Sequence, residues 1–216
     1  MKPPSRTQLQ DLVEWRESFF EEPRRSVVEK AQKLFFQRGF SSVHMDDLAA
    51  ELAMSKRTLY ELFESKEEIL QGALEAIARD LLTRNQEILE EPKIAYTGKI
   101  ERLLENISRG LATVPAHVWF DIKRHAPRVY ANLEKIRSQI IPEMIGRLVR
   151  EGQDQGLIRP EIHPRLVGEV QLAAVRHLVQ PEVFTALGLT PAQLPPQIFR
   201  LLFWGVLTDE GRREAR

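Results

Sequence analysis

Apolar residues recur at helical spacing through most of the chain, and prolines, glycines and short polar stretches separate the runs. Met45, Leu48, Ala49 and Leu52 fall on one face of a short helix. Ala53 and Met54 make a turn. Ser55 then caps a second short helix, its hydroxyl placed to accept from a free backbone N–H two or three residues on. In that helix Leu59, Leu62 and Phe63 point inward at i, i+3, i+4 spacing. Lys56, Arg57, Thr58 and Tyr60 are left for the outer side and the first turn. A short helix that offers cations and hydroxyls at its N-terminus, braced by a preceding helix, has the geometry that enters a DNA major groove.

The same pattern places the other elements. Thr7 to Phe20 reads as a helix through Leu9, Leu12, Val13, Trp15, Phe19 and Phe20. It is expected to pack on the body or on a partner subunit. An arm touching DNA through Lys2 and Arg6 is the sharper alternative, but such arms are usually extended and basic. Pro23 breaks the helix, and a further one covers about Ser26 to Gln37, with Gly39 ending it. Ser65 and Lys66 start a longer helix that reaches about Glu90. Gly98 to Thr113 is amphipathic, with Ile100, Leu103, Leu104, Ile107 and Leu111 on one side. Pro115 opens a helix carrying Val118, Trp119, Phe120 and Ile122, and Pro127 closes it. Arg128 to Gln155 is a long helix that Pro142 should bend, and Gly156 to Pro164 is a turn.

Arg165 to Val179 and Gln197 to Thr208 are apolar nearly all round, so both must be covered on more than one side. The core supplies one cover and a second subunit the other, giving a four-helix interface under two-fold symmetry. Val170, Ala174, Phe203 and Leu207 are the expected interface positions. Pro181 to Pro196 is a proline-rich connection with one short turn of helix, and Glu210 to Arg216 a charged tail.

Composition narrows the chemistry. The 216 residues permit one large or two small domains, and 43% apolar content is enough for packed cores. Cysteine is absent, which excludes disulfides, thiolate metal sites and thiol catalysis. No apolar run approaches the ~20 residues of a membrane span, and the first twenty residues lack a signal-peptide core. A cytoplasmic protein with no membrane partner is expected. Lys plus Arg equals Asp plus Glu, 31 each, so net charge lends nothing to nucleic-acid binding. The groove-binding stretch itself carries Asp46, Asp47, Glu51, Glu61, Glu64, Glu67 and Glu68. Its cations, Lys56, Arg57 and Lys66, must therefore act by position while many acids face away. Modest non-specific affinity with strong salt dependence follows.

No Gly-rich phosphate loop, HExxH or nucleophile elbow occurs, so no enzyme constellation and no cofactor is expected. His117, Asp121 and His125 share one helical face at i, i+4, i+8. Metal ligation is conceivable there, but a solvated stripe with i,i+4 pairing is the expected reading, and no metal is assigned.

Val27 to Leu70 resembles the N-terminal domain of the TetR/AcrR family of transcriptional regulators. Ala31, Leu34, Phe35, Gly39 and Phe40 carry the likeness, with Asp47-Leu48-Ala49, Met54 through Tyr60, Phe63 and Lys66. The match runs without a gap for more than forty residues. Two positions depart from it: Ala53 stands where the family's turn usually has glycine, and a positive φ there would be strained. His44, a poor cap, stands where the family has Ser or Thr.

An all-α chain is expected: a helical N-terminal extension over 1–22, which lies ahead of the resemblance, and then, as the resemblance implies, a three-helix helix-turn-helix DNA-binding domain over 23–68 and a helical regulatory and dimerisation domain over 69–216. The resemblance implies DNA contacts at His44, Ser55, Lys56, Arg57, Thr58, Tyr60 and Lys66. Lys56, Arg57 and Thr58 would reach base edges or nearby backbone, and Ser55, Tyr60 and Lys66 phosphates. It places the Pro115 helix beside an effector cavity, with Trp119, Phe120, Tyr130 and Met144 as expected lining. The function implied is a homodimeric regulator, a repressor released from a near-palindromic double-stranded operator by a small apolar effector. The alternative within DNA binding is an architectural or partner-regulated protein without an effector. A helical enzyme or lipid carrier would need an acid–base pair in the cavity, which the sequence does not offer.

Overall fold

Among the residues described by the computed structural model, Leu9 and 13–214, eleven α-helices follow one another. They are α1 (Arg24–Arg38), α2 (Met45–Glu51), α3 (Lys56–Leu62), α4 (Lys66–Glu90), α5 (Tyr96–Ala112), α6 (Ala116–His125), α7 (Pro127–Asp154), α8 (Pro164–Leu178), α9 (Pro181–Ala186), α10 (Leu194–Val206) and α11 (Asp209–Glu214). The extended backbone pairing among these residues is a single bridge between Ile158 and Leu207. The all-α expectation and the helix order stand, with boundaries moved by one to three residues.

Two segments differ from their sequence pattern. The helix expected over Thr7 to Phe20 is interrupted among its described residues: a 3-10 turn covers Glu17–Phe20, and Val13 to Arg16 are not helical, while Thr7, Gln8 and residues 10–12 lie outside the described residues. Tertiary contacts override the local periodicity here. Phe19 is buried and stacks on Phe63, while Arg16 bonds through its backbone N–H to Glu75 and through its guanidinium to Glu68. Lys2 and Arg6, the residues of the alternative arm, lie outside the described residues. At the other end the charged tail folds into α11. Thr208 Oγ1 accepts from the Gly211 N–H at 3.0 Å, with Asp209 and Glu210 in the first turn and Arg212 and Arg213 in the last. That charge order suits the helix dipole.

The helices gather into two compact units. One holds Glu14–Asp80 with Val114–Leu133, so α6 and the start of α7 cluster with α1 to α3. Contacts account for this grouping, which chain order had split at residue 68. Asp121 on α6 accepts from the Ser41 N–H at 2.7 Å, and Asn132 on α7 donates to Gln71 on α4 at 3.1 Å. Gln71 in turn donates to Glu75, whose carboxyl burial pushes above its ordinary value. The core of this unit is Val28, Leu34, Phe35, Phe40, Leu48, Leu59, Phe63 and Leu70.

The other unit holds Leu81–Thr113 and the chain from Glu134 onward, joined by Leu9, whose N–H donates to Gln86. Here α10 packs on α5 and α8. Gly168 of α8 meets α7 at Pro142, where an added Cβ would come within 2.7 Å of the backbone; only glycine permits that approach. Two buried polar side chains find partners here: Lys99 Nζ donates to Leu89 O and Glu151, and Asn106 to Asn85 and Leu81 O.

Candidate nucleic-acid interface

The interface is built on three helix ends. Gly39, at φ 85°, stops α1, and its N–H returns to Phe35 O at 2.9 Å. The loop from Phe40 to Val43 is gripped from two helices. Lys66 Nζ on α4 donates to Phe40 O and Val43 O at 3.2 and 3.1 Å, and Asp121 takes the Ser41 N–H. Lys66, expected from the resemblance at a phosphate, here holds this loop. Its ammonium lies over the Phe40 ring, 4.4 Å from the centroid, half-buried and engaged with protein carbonyls.

The weak cap at His44 is answered by its neighbour. Asp47 accepts from the His44 N–H at 2.8 Å and closes the start of α2, leaving the His44 side chain exposed. Between α2 and α3 the turn places Ala53 at φ 52°, the left-handed conformation expected there. Ser55 caps α3 as its sequence suggests, accepting from the Thr58 N–H at 3.0 Å; its hydroxyl also lies 2.7 Å from that of Thr58.

Leu59 and Phe63 hold α3 in the core, and Leu62 is half-buried. Ser55, Lys56, Arg57, Thr58 and Tyr60 all face outward, with Arg57 89% and Tyr60 47% exposed. The helix thus buries one edge and presents the others. The acids do not all face away. Asp46 lies 2.7 Å from Lys56 Nζ, and Glu61 accepts from Arg57 Nε at 2.9 Å. The bond to Asp46, with its charge, raises the Lys56 ammonium above its ordinary pKa.

The expected effector residues are dispersed. Trp119 is buried, Phe120 exposed and Tyr130 half-buried, all in the unit that holds α3. Met144 is buried in the other unit, its sulfur 3.7 Å from Asn85 Nδ2. In that second unit a cavity of about 570 Å³ is lined by other residues, among them Tyr96, Ile100, Glu101, Phe199, Arg200 and Phe203. Their signal was present in the sequence as two apolar faces, Ile100 with Leu104 on α5 and Phe199 with Phe203 on α10. Which faces would meet was not.

Of the expected interface residues, Val170 is exposed and Ala174 half-buried. Phe203 and Leu207 turn inward instead. Phe203 stacks on Phe199, and Leu207 pairs through its backbone with Ile158. Leu166 and Leu201 are further apolar residues that these helices leave outside. In the His117 stripe, Asp121 holds the Ser41 N–H and lies 3.8 Å from His125 Nε2.

Comparison with known proteins agrees with this geometry. Residues 27–73 match the bacterial regulatory proteins of the tetR family. The HTH-type transcriptional regulator YvaF of Bacillus subtilis is 24% identical over 85% of this chain and 95% of its own length. The HTH-type transcriptional repressor DhaR of a Mycobacterium species is also 24% identical, over 70% of this chain and 77% of its own. Among solved structures, a transcriptional regulator from Saccharomonospora viridis in complex with choline superposes with a TM-score of 0.65. It covers 87% of this chain and 98% of its own at 22% identity, a likeness of fold. Among the described residues no helix is long and apolar enough to cross a membrane.

Proposed function

We propose, for a chain that belongs to the TetR family of bacterial transcriptional regulators and is not an enzyme, that it is a dimeric repressor released from its operator by a small organic effector. The observation that carries the reading is α3. Its inner edge is buried, and its first turn leaves Lys56, Arg57 and Thr58 in solvent beside a capped N-terminus. In a major groove, Arg57 would offer guanine O6 and N7 two parallel bonds. Tyr60, one turn on, would reach a phosphate and hold register without reading sequence. A two-fold dimer would present two such helices about one helical turn apart, ~34 Å, on a near-palindrome.

The effector is assigned to the cavity of the second unit. Its floor of Tyr96, Leu157, Phe199, Phe203 and Leu207 is buried, and Glu101 and Arg200 stand exposed. A compound with an apolar body and one charged end suits such walls. Aromatic rings beside a carboxylate also suit a quaternary ammonium. Choline, bound by the Saccharomonospora viridis regulator, is therefore the first compound to try. Any effector shifts the DNA-binding equilibrium only by its differential affinity for the two states.

Selection of genomic fragments on the protein, followed by sequencing, tests the DNA reading by yielding the operator. On that operator Arg57→Ala should cost ~1–3 kcal/mol and relax preference at one base pair per half-site. Tyr60→Phe should weaken operator and scrambled duplexes by similar factors. Equal losses on both duplexes for Arg57→Ala would remove it from base reading. If no compound changes operator affinity or melting temperature, the effector-free alternative replaces the ligand-released repressor.

A further inference from the structure

Both cations at the start of α3 meet a carboxylate on the same exposed surface. Lys56 Nζ stands 2.7 Å from Asp46 Oδ1 of α2, with the side chains 59% and 68% exposed. Arg57 and Glu61, one turn apart on α3, are 89% and 60% exposed. The capping bond of α2 is made by Asp47, not Asp46. Exposed pairs of this kind contribute little to stability. Their placement has a larger consequence for DNA, because each carboxylate sits at contact distance from a cation that a phosphate or base would have to reach.

We propose that Asp46 and Glu61 are specificity-determining residues, which occupy Lys56 and Arg57 off the operator and hold down binding to arbitrary DNA. On an arbitrary duplex, a phosphate must displace a carboxylate already in place, and the displaced carboxylate stays beside the phosphate as a like charge. On the operator, the carboxylate gains a partner of its own. Where Arg57 turns to guanine, a Glu or Asp beside it can accept from the exocyclic amino group of a cytosine. The cost thus falls on the wrong sequences, and a repulsive element of this sort widens the difference between two affinities. A net charge of zero fits the same design, since the chain has no net charge to draw it onto arbitrary DNA. The inference rests on α3 being the groove-entering helix.

The test uses full-length Asp46→Asn, Glu61→Gln and the double variant. Each is titrated by fluorescence anisotropy against the selected operator and a scrambled duplex of equal composition, over about 50 to 300 mM salt. Each single variant should bind the scrambled duplex about 2–5-fold more tightly, with operator binding unchanged or weakened. The specificity ratio then falls, and falls further in the double variant. The salt slope on scrambled DNA should steepen by about 0.9 for each phosphate newly neutralised. Unchanged scrambled affinity would overturn the proposal, and so would an equal gain on both duplexes. Thermal melts confirm that the variants fold; should Asp46→Asn fail, Glu61→Gln decides alone. A wild type that binds neither duplex brings down the reading of α3, and this inference with it.

Discussion

Ala53 holds a conformation that suits another residue. At φ 52° its Cβ crowds the following carbonyl, a cost of about 1–2 kcal/mol for an L-residue. Glycine escapes that cost but loses about 0.5–1 kcal/mol of chain entropy on folding. The side chain is exposed, so no packing is lost. Ala53→Gly should therefore raise stability by roughly 0.5–1 kcal/mol, read as a higher urea midpoint at unchanged slope. A lower midpoint would show that the methyl group contributes more than its strain costs. The Ser55 cap was legible in the sequence because a hydroxyl ahead of a short helix is a local feature, and the strain at Ala53 through the resemblance, whose turn usually has glycine there. The grip of Lys66 on Phe40 O and Val43 O was not, since it joins groups 26 and 23 residues apart.

At the scale of elements, Glu68 ties three of them together. It lies on α4, and its carboxylate accepts from Arg24 of α1 at 2.6 Å and from Arg16, ahead of the 3-10 turn, at 2.7 Å. The Arg24 guanidinium also lies over the Phe63 ring, 4.2 Å from the centroid. Burial alone would raise the Glu68 carboxyl, but the bonds from Arg24 and the Glu64 N–H, with the charges of Arg24 and Arg16, bring it below its ordinary value of 4.5. A depressed folded pKa adds stability that is present above the unfolded value and is lost as pH falls through the folded one. Glu68→Gln should thus cost about 1–3 kcal/mol near pH 7, and the deficit against wild type should shrink in melts at progressively lower pH below 4.5. A deficit that stays constant across that range would mean the charge of Glu68 carries none of it. The same contacts explain why the extension misled the periodic reading. Its apolar spacing was helical, but Phe19 and Arg16 are fixed one by one by partners about fifty residues away. The helices from α1 to α10 were legible because each buries a continuous face. The grouping of α6 with α1 to α3 was not, because it depends on which faces meet.

At the scale of the whole molecule, α8 and α10 carry apolar surface that their own unit leaves uncovered. Leu201 is 79% exposed, Leu166 61% and Val170 42%. Burial of such side chains is worth about 25 cal/mol per Å², and a second copy could cover them by presenting the same patch about a two-fold axis. Phe203 shares α10 with Leu201 but is buried against Phe199. Glutamate at the two positions should therefore fail in different ways. Leu201→Glu puts an unpaired charge into the proposed interface, where its desolvation opposes association, and should leave a folded, helical monomer. Phe203→Glu puts the charge into the chain's own core and should lower the melting temperature or prevent folding. Light scattering and circular dichroism at micromolar concentration separate the two outcomes. The DNA consequence is equally specific. A monomer offers one recognition helix to a two-half-site operator, so Leu201→Glu should lose far more affinity on the operator than on a scrambled duplex. A wild type that scatters as a monomer, or a Leu201→Glu that remains dimeric, would place the subunit contact elsewhere.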